Sequence, residues 1–384
     1  MHSARIVNLF VTAALGAAFG PVTSAQETGD RVAADAGLQK FMELRSFVSD
    51  RNERYYRITA PQGIDEARYV PVGGIEQYIS IRGEDRDNPV ILFLHGGPGD
   101  ATNPWGYLAF RAWLKYFTVV QWDQRGAGKT YGKSGPLGAA VTIDEMARDG
   151  VELAEFVRER LQKPKVILVG LSWGTIIGIH MAKIRPELFT AYVGTGQVAK
   201  YLPGRLLAYR ELLAEARTRA DRKAVGALEG VGPPPYESSA KEGVHAQWAT
   251  AYEPGMPSMW NNISTVLFHS AITVRDVSNL IKGMGDSEDH FRVQLNSVDL
   301  PALGSDFAIP MFVFQGARDT VNPVQSLTGY FDSIKAPQKR LVVIPRAGHN
   351  VMLTKSDDFL RLLVELVRPL AFHEEPQTRS AHSQ

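Results

Sequence analysis

The sequence predicts an α/β fold: a mostly parallel central sheet, helices on both faces, and a block of helices inserted before the sheet is complete. Two observations carry this. Short apolar runs, of the kind buried on both faces of a parallel sheet, alternate with helical patterns through the first half of the chain and again near its end. Between residues 199 and 305 the strand signals stop and helical ones take over. The chain has 384 residues, 44% hydrophobic and 22% charged, which suits one large domain with an insertion or two domains.

Each element has its own signal. Residues 1–25 read as a secretory signal: Arg5 supplies positive charge, Ile6 to Phe19 is almost entirely apolar or small, and Thr23 and Ala25 sit where a signal peptidase reads. The apolar run falls short of the ~20 residues that a span needs. The expectation is an exported protein, periplasmic or secreted, with no stable membrane insertion after cleavage. Residues 26–60 form an N-terminal extension, with a short amphipathic helix predicted from Leu38, Phe41, Met42 and Phe47.

Residues 61–198 form the first part of the core. "ARYVPVGGIEQYISIRG" reads as two strands joined near Gly73 and Gly74. "PVILFLH", "FTVVQWD", "KVILVG" and "AYVGTG" are four further strands, and "GYLAFRAWLKY" a helix between the first two of them. Thr142 and Glu145 make a capping-box pattern that opens a long helix. "WGTIIGIHMAKI" is a helix that stops before Pro186. The insertion, residues 199–305, opens with the helical "RLLAYRELLAEARTRADRKAVGAL", broken by "GVGPPPYESS". Residues 306–370 complete the core with the strands "IPMFVFQG" and "RLVVIP", each followed by a helical pattern. Residues 371–384 are polar and predicted to be a disordered tail.

Several function classes are excluded or disfavoured. Lys plus Arg number 42 against 41 for Asp plus Glu, a formal net charge of +1, so bulk charge favours no nucleic-acid or membrane-surface partner. There is no cysteine, which rules out disulfides, thiolate metal sites and a Cys nucleophile. No metal-site or cofactor motif is present, and the expectation is that neither is needed.

"GLSWG", Gly170 to Gly174, is a G-x-S-x-G sequence between a buried strand and a helix. That strand–turn–helix context is what a nucleophile elbow requires, and it marks an α/β-hydrolase fold with an inserted helical cap. A serine hydroxyl is a weak nucleophile that needs a base, and the base needs an orienting acid. In this fold the acid and then the His follow at the ends of later strands. "MFVFQG" ends in "ARD", giving Asp319; "RLVVIP" ends in "RAGH", giving His349. The other candidates fit less well. His95 precedes the Ser, His180 lies within a helix, His269 and His290 lie in the insertion, His373 and His382 lie in the tail, and Asp332 lies on a helix. Ser172, Asp319 and His349 are therefore the expected catalytic triad.

An acyl-transfer site also needs donors for the oxyanion. One is the N–H of Trp173, after the nucleophile; the other comes from the loop after the third strand, here "LHGGPGD" at 94–100. A Gly-rich loop also suits a phosphate. "GAGKT" at 126–130 resembles the end of a Walker motif, but the position five before Gly128 is Asp123 rather than Gly. The oxyanion role is the expectation. Arg125 and Asp123 are expected to brace that loop from below as a buried charge pair, and Asp100 to be either a loop brace or a weak attraction for a cationic substrate.

"HGGPG" at 95–99, "WDQRGAGKT" at 122–130 and "GLSWGT" at 170–175, in this order and spacing, resemble the prolyl aminopeptidase (proline iminopeptidase) group of α/β-hydrolases. The resemblance covers most of residues 89–198 and 309–370. It implies a serine hydrolase with a helical cap, with Gly97 as the second oxyanion donor. It also implies that cap acids hold the free α-amino group of the substrate. "WATAYE" at 248–253 is similar to the segment that supplies one of them, so Glu253 is the candidate, with Trp248 and Tyr252 beside it. Leu171 stands where the group usually has a second Gly, and "GDSEDHF" does not align with its second amine-binding acid. Trp248, Trp260 and Phe268 suit the cap's own core as well as a substrate pocket.

The functional expectation is an exported serine hydrolase that works through an acyl-enzyme and releases N-terminal, proline-type residues from small peptides. The same triad also suits esters, lactones or other small amides, and a non-catalytic binding protein on this fold is the third alternative. Epoxide hydrolases and haloalkane dehalogenases on this fold use an Asp nucleophile, and position 172 is Ser.

Overall fold

The computed structural model of the chain describes residues 29–256 and 264–372. The expected signal at 1–25, Trp260 and all but the first two residues of the expected tail lie outside the described residues. Eight strands form one sheet: β1 Ile64–Val72, β2 Ile75–Gly83, β3 Val90–Leu94, β4 Thr118–Asp123, β5 Val166–Leu171, β6 Phe189–Thr195, β7 Met311–Gly316 and β8 Lys339–Ile344. Their order is β1-β2-β4-β3-β5-β6-β7-β8. The hairpin β1–β2 and the β2–β4 pair are antiparallel, and every other pair is parallel. The predicted runs are the observed strands. β3, β4, β5 and β7 are buried along their whole length, which is why they read as continuous apolar runs. β8 closes one side of the sheet, and its residues are exposed or half-buried up to Ile344, which is buried.

Both faces of the sheet are covered. One core layer packs the helices α4 Ile143–Leu161 and α5 Trp173–Ile184 against Leu92, Leu168 and Tyr192. The other packs Trp113 and Phe359, stacked at 5.5 Å, against Phe93, Val169 and Phe314. The capping box read at Thr142 is present, with Thr142 and Glu145 bonded reciprocally. The N-terminal helix α1, Gly29–Tyr56, is longer than the short segment predicted. Its apolar spacing does not mark a buried face: Phe41 is buried, while Met42 and Phe47 are exposed.

Two short helices follow the strands that flank the site, α2 Asn103–Ala109 after β3 and α3 Gly128–Ser134 after β4. Of the "GAGKT" at 126–130 that resembled the end of a Walker motif, Gly128, Lys129 and Thr130 open the helix α3. Between β6 and β7 the chain runs through α6 Tyr201–Thr218, α7 Arg222–Val231, α8 Ser239–Tyr252 and α9 Val274–Asn296. The single helical pattern read at 205–228 is broken because Ala220 takes a positive φ and the Asp221 carboxylate accepts the Ala224 N–H to start α7. These helices have their own small core around Leu212, Ala216 and Leu228. The long helix α9 also sits directly on the sheet's carboxyl edge. Gly283 and Ser287 approach Gly99 so closely that a Cβ there would lie 2.4 Å from the Gly283 carbonyl oxygen. The Ser287 hydroxyl donates to the Gly126 carbonyl.

Candidate active site

Ser172 ends β5 and begins α5 in a backbone conformation that few non-glycine residues adopt, φ 52 and ψ −113. The strain is held by bonds on both sides. The Ser172 N–H donates to Thr195 O (3.0 Å), and Ser172 O accepts from the N–H and hydroxyl of Thr175 at 2.8 and 2.6 Å. The flanking glycines have a steric reason: a Cβ on Gly170 would lie 2.6 Å from Gly174 O, and one on Gly174 would lie 2.1 Å from Leu94 O. The elbow and the end of β3 therefore press backbone against backbone, and a Cβ on Gly96 would lie 3.7 Å from Ser172 Cβ, an ordinary contact.

Asp319 and His349 meet as expected. His349 Nδ1 and Asp319 Oδ2 are 2.9 Å apart, with the Asp319 side chain fully buried and that of His349 nearly so. Asp319 is saturated by donors: Val321 and Asn322 N–H each donate to Oδ1 at 2.8 Å, and Gln315 Nε2 donates to Oδ2 at 2.8 Å. Burial pushes the His349 imidazolium toward losing its proton. The Asp319 carboxylate outweighs this, with help from Glu253, and holds the imidazole above its ordinary pKa of 6.5. His349 lies against the turn that follows β6, where a Cβ on Gly196 would lie 2.6 Å from its Cε1. The Ser172 N–H is bonded to Thr195, the last residue of β6, so Ser172 and the imidazole both lie against the end of that strand.

Gly97 and Trp173 stand beside the elbow. Gly97 has φ +112, which only glycine adopts readily. Among the described residues neither its N–H nor that of Trp173, the first residue of α5, has a protein acceptor. Gln124, directly after β4, links the residues before Gly97 to the Trp173 side chain. The Gln124 N–H donates to His95 Nε2 (3.2 Å), His95 Nδ1 donates to Gly96 O (2.7 Å), and Trp173 Nε1 donates to Gln124 Oε1 (2.9 Å). Burial lowers the pKa of His95 to about 4, so it is neutral and serves as both acceptor and donor.

The expected Arg125–Asp123 pair does not form. Arg125 is bonded to Asp149 on α4 at 2.9 and 3.1 Å and donates to Gly73 O at 2.6 Å. Asp123 instead accepts from Asn103 Nδ2 (2.7 Å) and Lys129 N–H (2.8 Å), tying α2 to α3 beneath the Gly-rich loop. Burial pushes its carboxyl up to about 6, against those bonds. Asp100 accepts the N–H of Ala101 at 2.7 Å, and burial raises its pKa to about 6 as well.

The three cap residues are split. Trp248 and Tyr252 pack onto the small core of the inserted helices. The Tyr252 hydroxyl donates to Asp221 (2.9 Å), and the Arg219 guanidinium lies 4.4 Å over its ring. Tyr252 also borders a cavity of about 200 Å³ shared with Glu211 and Asp319. Of the three, Glu253 alone is bonded to the His349 loop: it accepts the Asn350 N–H (2.6 Å) and Asn350 Nδ2 (2.9 Å), next to His349. A cavity of about 580 Å³ lies on the β1–β2 side, lined by Tyr56, Tyr78, Arg82, Tyr107 and Lys129, and none of the triad residues borders it.

Sequence reasoning missed Gln315, Asn322, Arg205, His245 and Asn350. Asn322 Nδ2 donates to Gly196 O (2.7 Å), and Gln315 bonds both Asp319 and the Gln197 N–H. Gln315 and Asn322 lie within four residues of Asp319 and could have been sought as its partners. The partners from the insertion had no local signal.

A strained serine at a strand-to-helix turn, with an Asp–His pair on the loops that follow two later strands of the same sheet, marks an α/β-hydrolase of the serine hydrolase class. The sequence profile of the "Serine aminopeptidase, S33" family matches residues 86–356, and the chain belongs to that family. It is 26% identical over 76% of its length to a "Probable aminopeptidase", YbaC, of Bacillus subtilis, covering 93% of that protein. It is 24% identical over 77% of its length to a proline iminopeptidase of Lactobacillus delbrueckii subsp. lactis, covering 96% of it. A solved proline iminopeptidase from Mycobacterium smegmatis shares the fold at a TM-score of 0.57 and 18% identity, over 80% of this chain and 99% of that one.

Proposed function

We propose that this serine hydrolase is an aminopeptidase that releases N-terminal, proline-type residues from small peptides through an acyl-enzyme. The observation that carries the mechanism is the Asp319–His349 hydrogen bond, held against the end of β6 to which the strained Ser172 is also bonded. Ser172 Oγ attacks the scissile carbonyl while His349 Nε2 takes its proton. His349 then gives that proton to the leaving amine, and Asp319 holds Nδ1 and stabilises the imidazolium. The tetrahedral oxyanion lies against the N–H groups of Gly97 and Trp173. Water repeats the sequence on the acyl-enzyme, and Ser172 is freed. The substrate class is supported by the family and by the activity named for two of its relatives.

The test is a panel of proline and alanine arylamides, dipeptides and short acyl esters, with Ser172→Ala as control. The expected outcome is arylamide turnover that requires a free amine and favours proline, with Ser172→Ala down by about 10⁶-fold. Fast ester cleavage with no arylamide turnover would replace the peptidase by an esterase using the same groups. We also propose export, from the Arg5-led apolar segment that ends near Ala25. Expressed with its full sequence in a Gram-negative host, the mature protein should be recovered outside the cytoplasm and begin at Gln26. An intact N-terminus in the cytoplasmic fraction would refute this.

A further inference from the structure

The helix α8 grips both loops that carry the base and its acid. From its middle, His245 meets the Thr320 carbonyl at 3.3 Å, one residue after Asp319. Burial holds His245 near a pKa of about 3, so it is neutral: Nε2 carries the proton given to Thr320 O, and Nδ1 accepts from the Tyr236 hydroxyl. Arg205 of α6, paired with Glu242 of α8, donates to Val321 O. At the end of α8, Glu253 receives both donors of Asn350, one residue after His349. The approach is as close as the chain allows. A Cβ on Gly348 would lie 2.5 Å from Glu253 Cγ, so glycine is required on one side of His349 and a bonded Asn stands on the other.

We propose that Glu253 is a positioning residue. Carried by the inserted helices, it fixes the Gly348–His349–Asn350 loop through Asn350 and places a second carboxylate beside the imidazole. The proposal rests on the triad reading above and adds a role outside the triad. Its chemistry follows from the charges that face His349. Asp319, from the loop after β7, and Glu253, from the end of α8, favour the imidazolium; Arg205, from α6, opposes it. Glu253 is itself buried, which raises its pKa against the pull of His349 and the Asn350 bonds. A base must be neutral to take a proton, so activity falls as pH drops through the pKa of His349. Removing the Glu253 charge makes the imidazolium less stable and moves that fall to lower pH.

The experiment is the pH dependence of Glu253→Gln in the full chain, read in two ways. One is the rate at which a fluorophosphonate labels Ser172, which needs no knowledge of the substrate. The other is kcat and KM on a free-amine arylamide and on an uncharged ester. The expected result is an acid limb moved down by about half a pH unit or more. With it, kcat falls about tenfold on both substrates, because the imidazole is less well placed. An unmoved acid limb, or a loss confined to KM for free-amine substrates, would overturn the proposal and make Glu253 a substrate-amine ligand. Should Glu253→Gln fail to fold, Asn350→Ala keeps the charge and removes one anchor. It should lower kcat on both substrates and leave the acid limb in place, and an unchanged kcat would overturn the proposal. Failure of the triad reading itself looks different, because the parent protein would then not be labelled at Ser172 at all.

Discussion

The carboxyl edge of the sheet and the inserted helices contribute to the same site in opposite ways. The edge supplies Ser172, Asp319 and His349, each on a turn held by bonds to residues close in sequence or on the next strand. The inserted helices supply none of the three, yet they touch every loop around them. Phe291 of α9 packs on Trp173 at 4.8 Å, Gly283 lies on Gly99, and α8 holds the loops of Asp319 and His349. On the mechanism proposed above, chemistry is set by one region, and the precision with which it is presented by the other. Substitutions at the edge should remove activity while the cap stays seated. Substitutions in the cap should cost less activity and should act through stability, pH profile or kcat.

The largest effect that sharpens this contrast is Asp319→Asn. The amide cannot accept from the imidazole and from all of its present donors at once, so the His349 tautomer is no longer fixed. The expected loss in kcat is about 10⁴-fold, smaller than for Ser172→Ala, with thermal stability changed far less. Equal losses from Asp319→Asn and from a cap variant would break the division between the two regions. Arg205→Met comes next. Arg205 is 3% exposed and paired with Glu242, so its removal leaves a half-buried carboxylate without its cation and frees the Val321 carbonyl. Stability should fall by about 3 kcal/mol, and kcat by roughly tenfold with KM little changed. Chemical denaturation and steady-state kinetics read the two quantities separately.

The same contrast explains what the sequence made legible. Strands, elbow and the Asp319–His349 pair are announced by local rules: continuous apolar runs, a Ser between small residues, an Asp and a His where strands stop. The errors arose where partners come from afar. Arg125 was matched to its neighbour Asp123, but Asp149 on α4 reaches it across the β1–β2 turn, and Asp123 is spent on Asn103 and Lys129. In α1 the apolar spacing suggested one buried face, yet only part of that face meets the rest of the chain. Resemblance brought Glu253 into view, but its bonds to Asn350 depend on how α8 ends over the His349 loop, and no periodicity encodes that.

Tyr252→Phe is the smallest effect and the finest test of how the cap divides its residues. Resemblance places Tyr252 with the substrate, next to Glu253. In the fold its hydroxyl donates to Asp221, whose other carboxylate oxygen caps α7, and its ring packs under Arg219 and beside Trp248. Phe keeps the ring contacts and loses one hydrogen bond at a half-exposed position. If the hydroxyl serves only the cap, Tm should fall by about 2 °C at most and kcat/KM should not change. A rise in KM for small peptides at unchanged Tm would instead mean that the hydroxyl leaves Asp221 for the substrate. The cavity that Tyr252 shares with Glu211 and Asp319 would then be the place where that substrate enters.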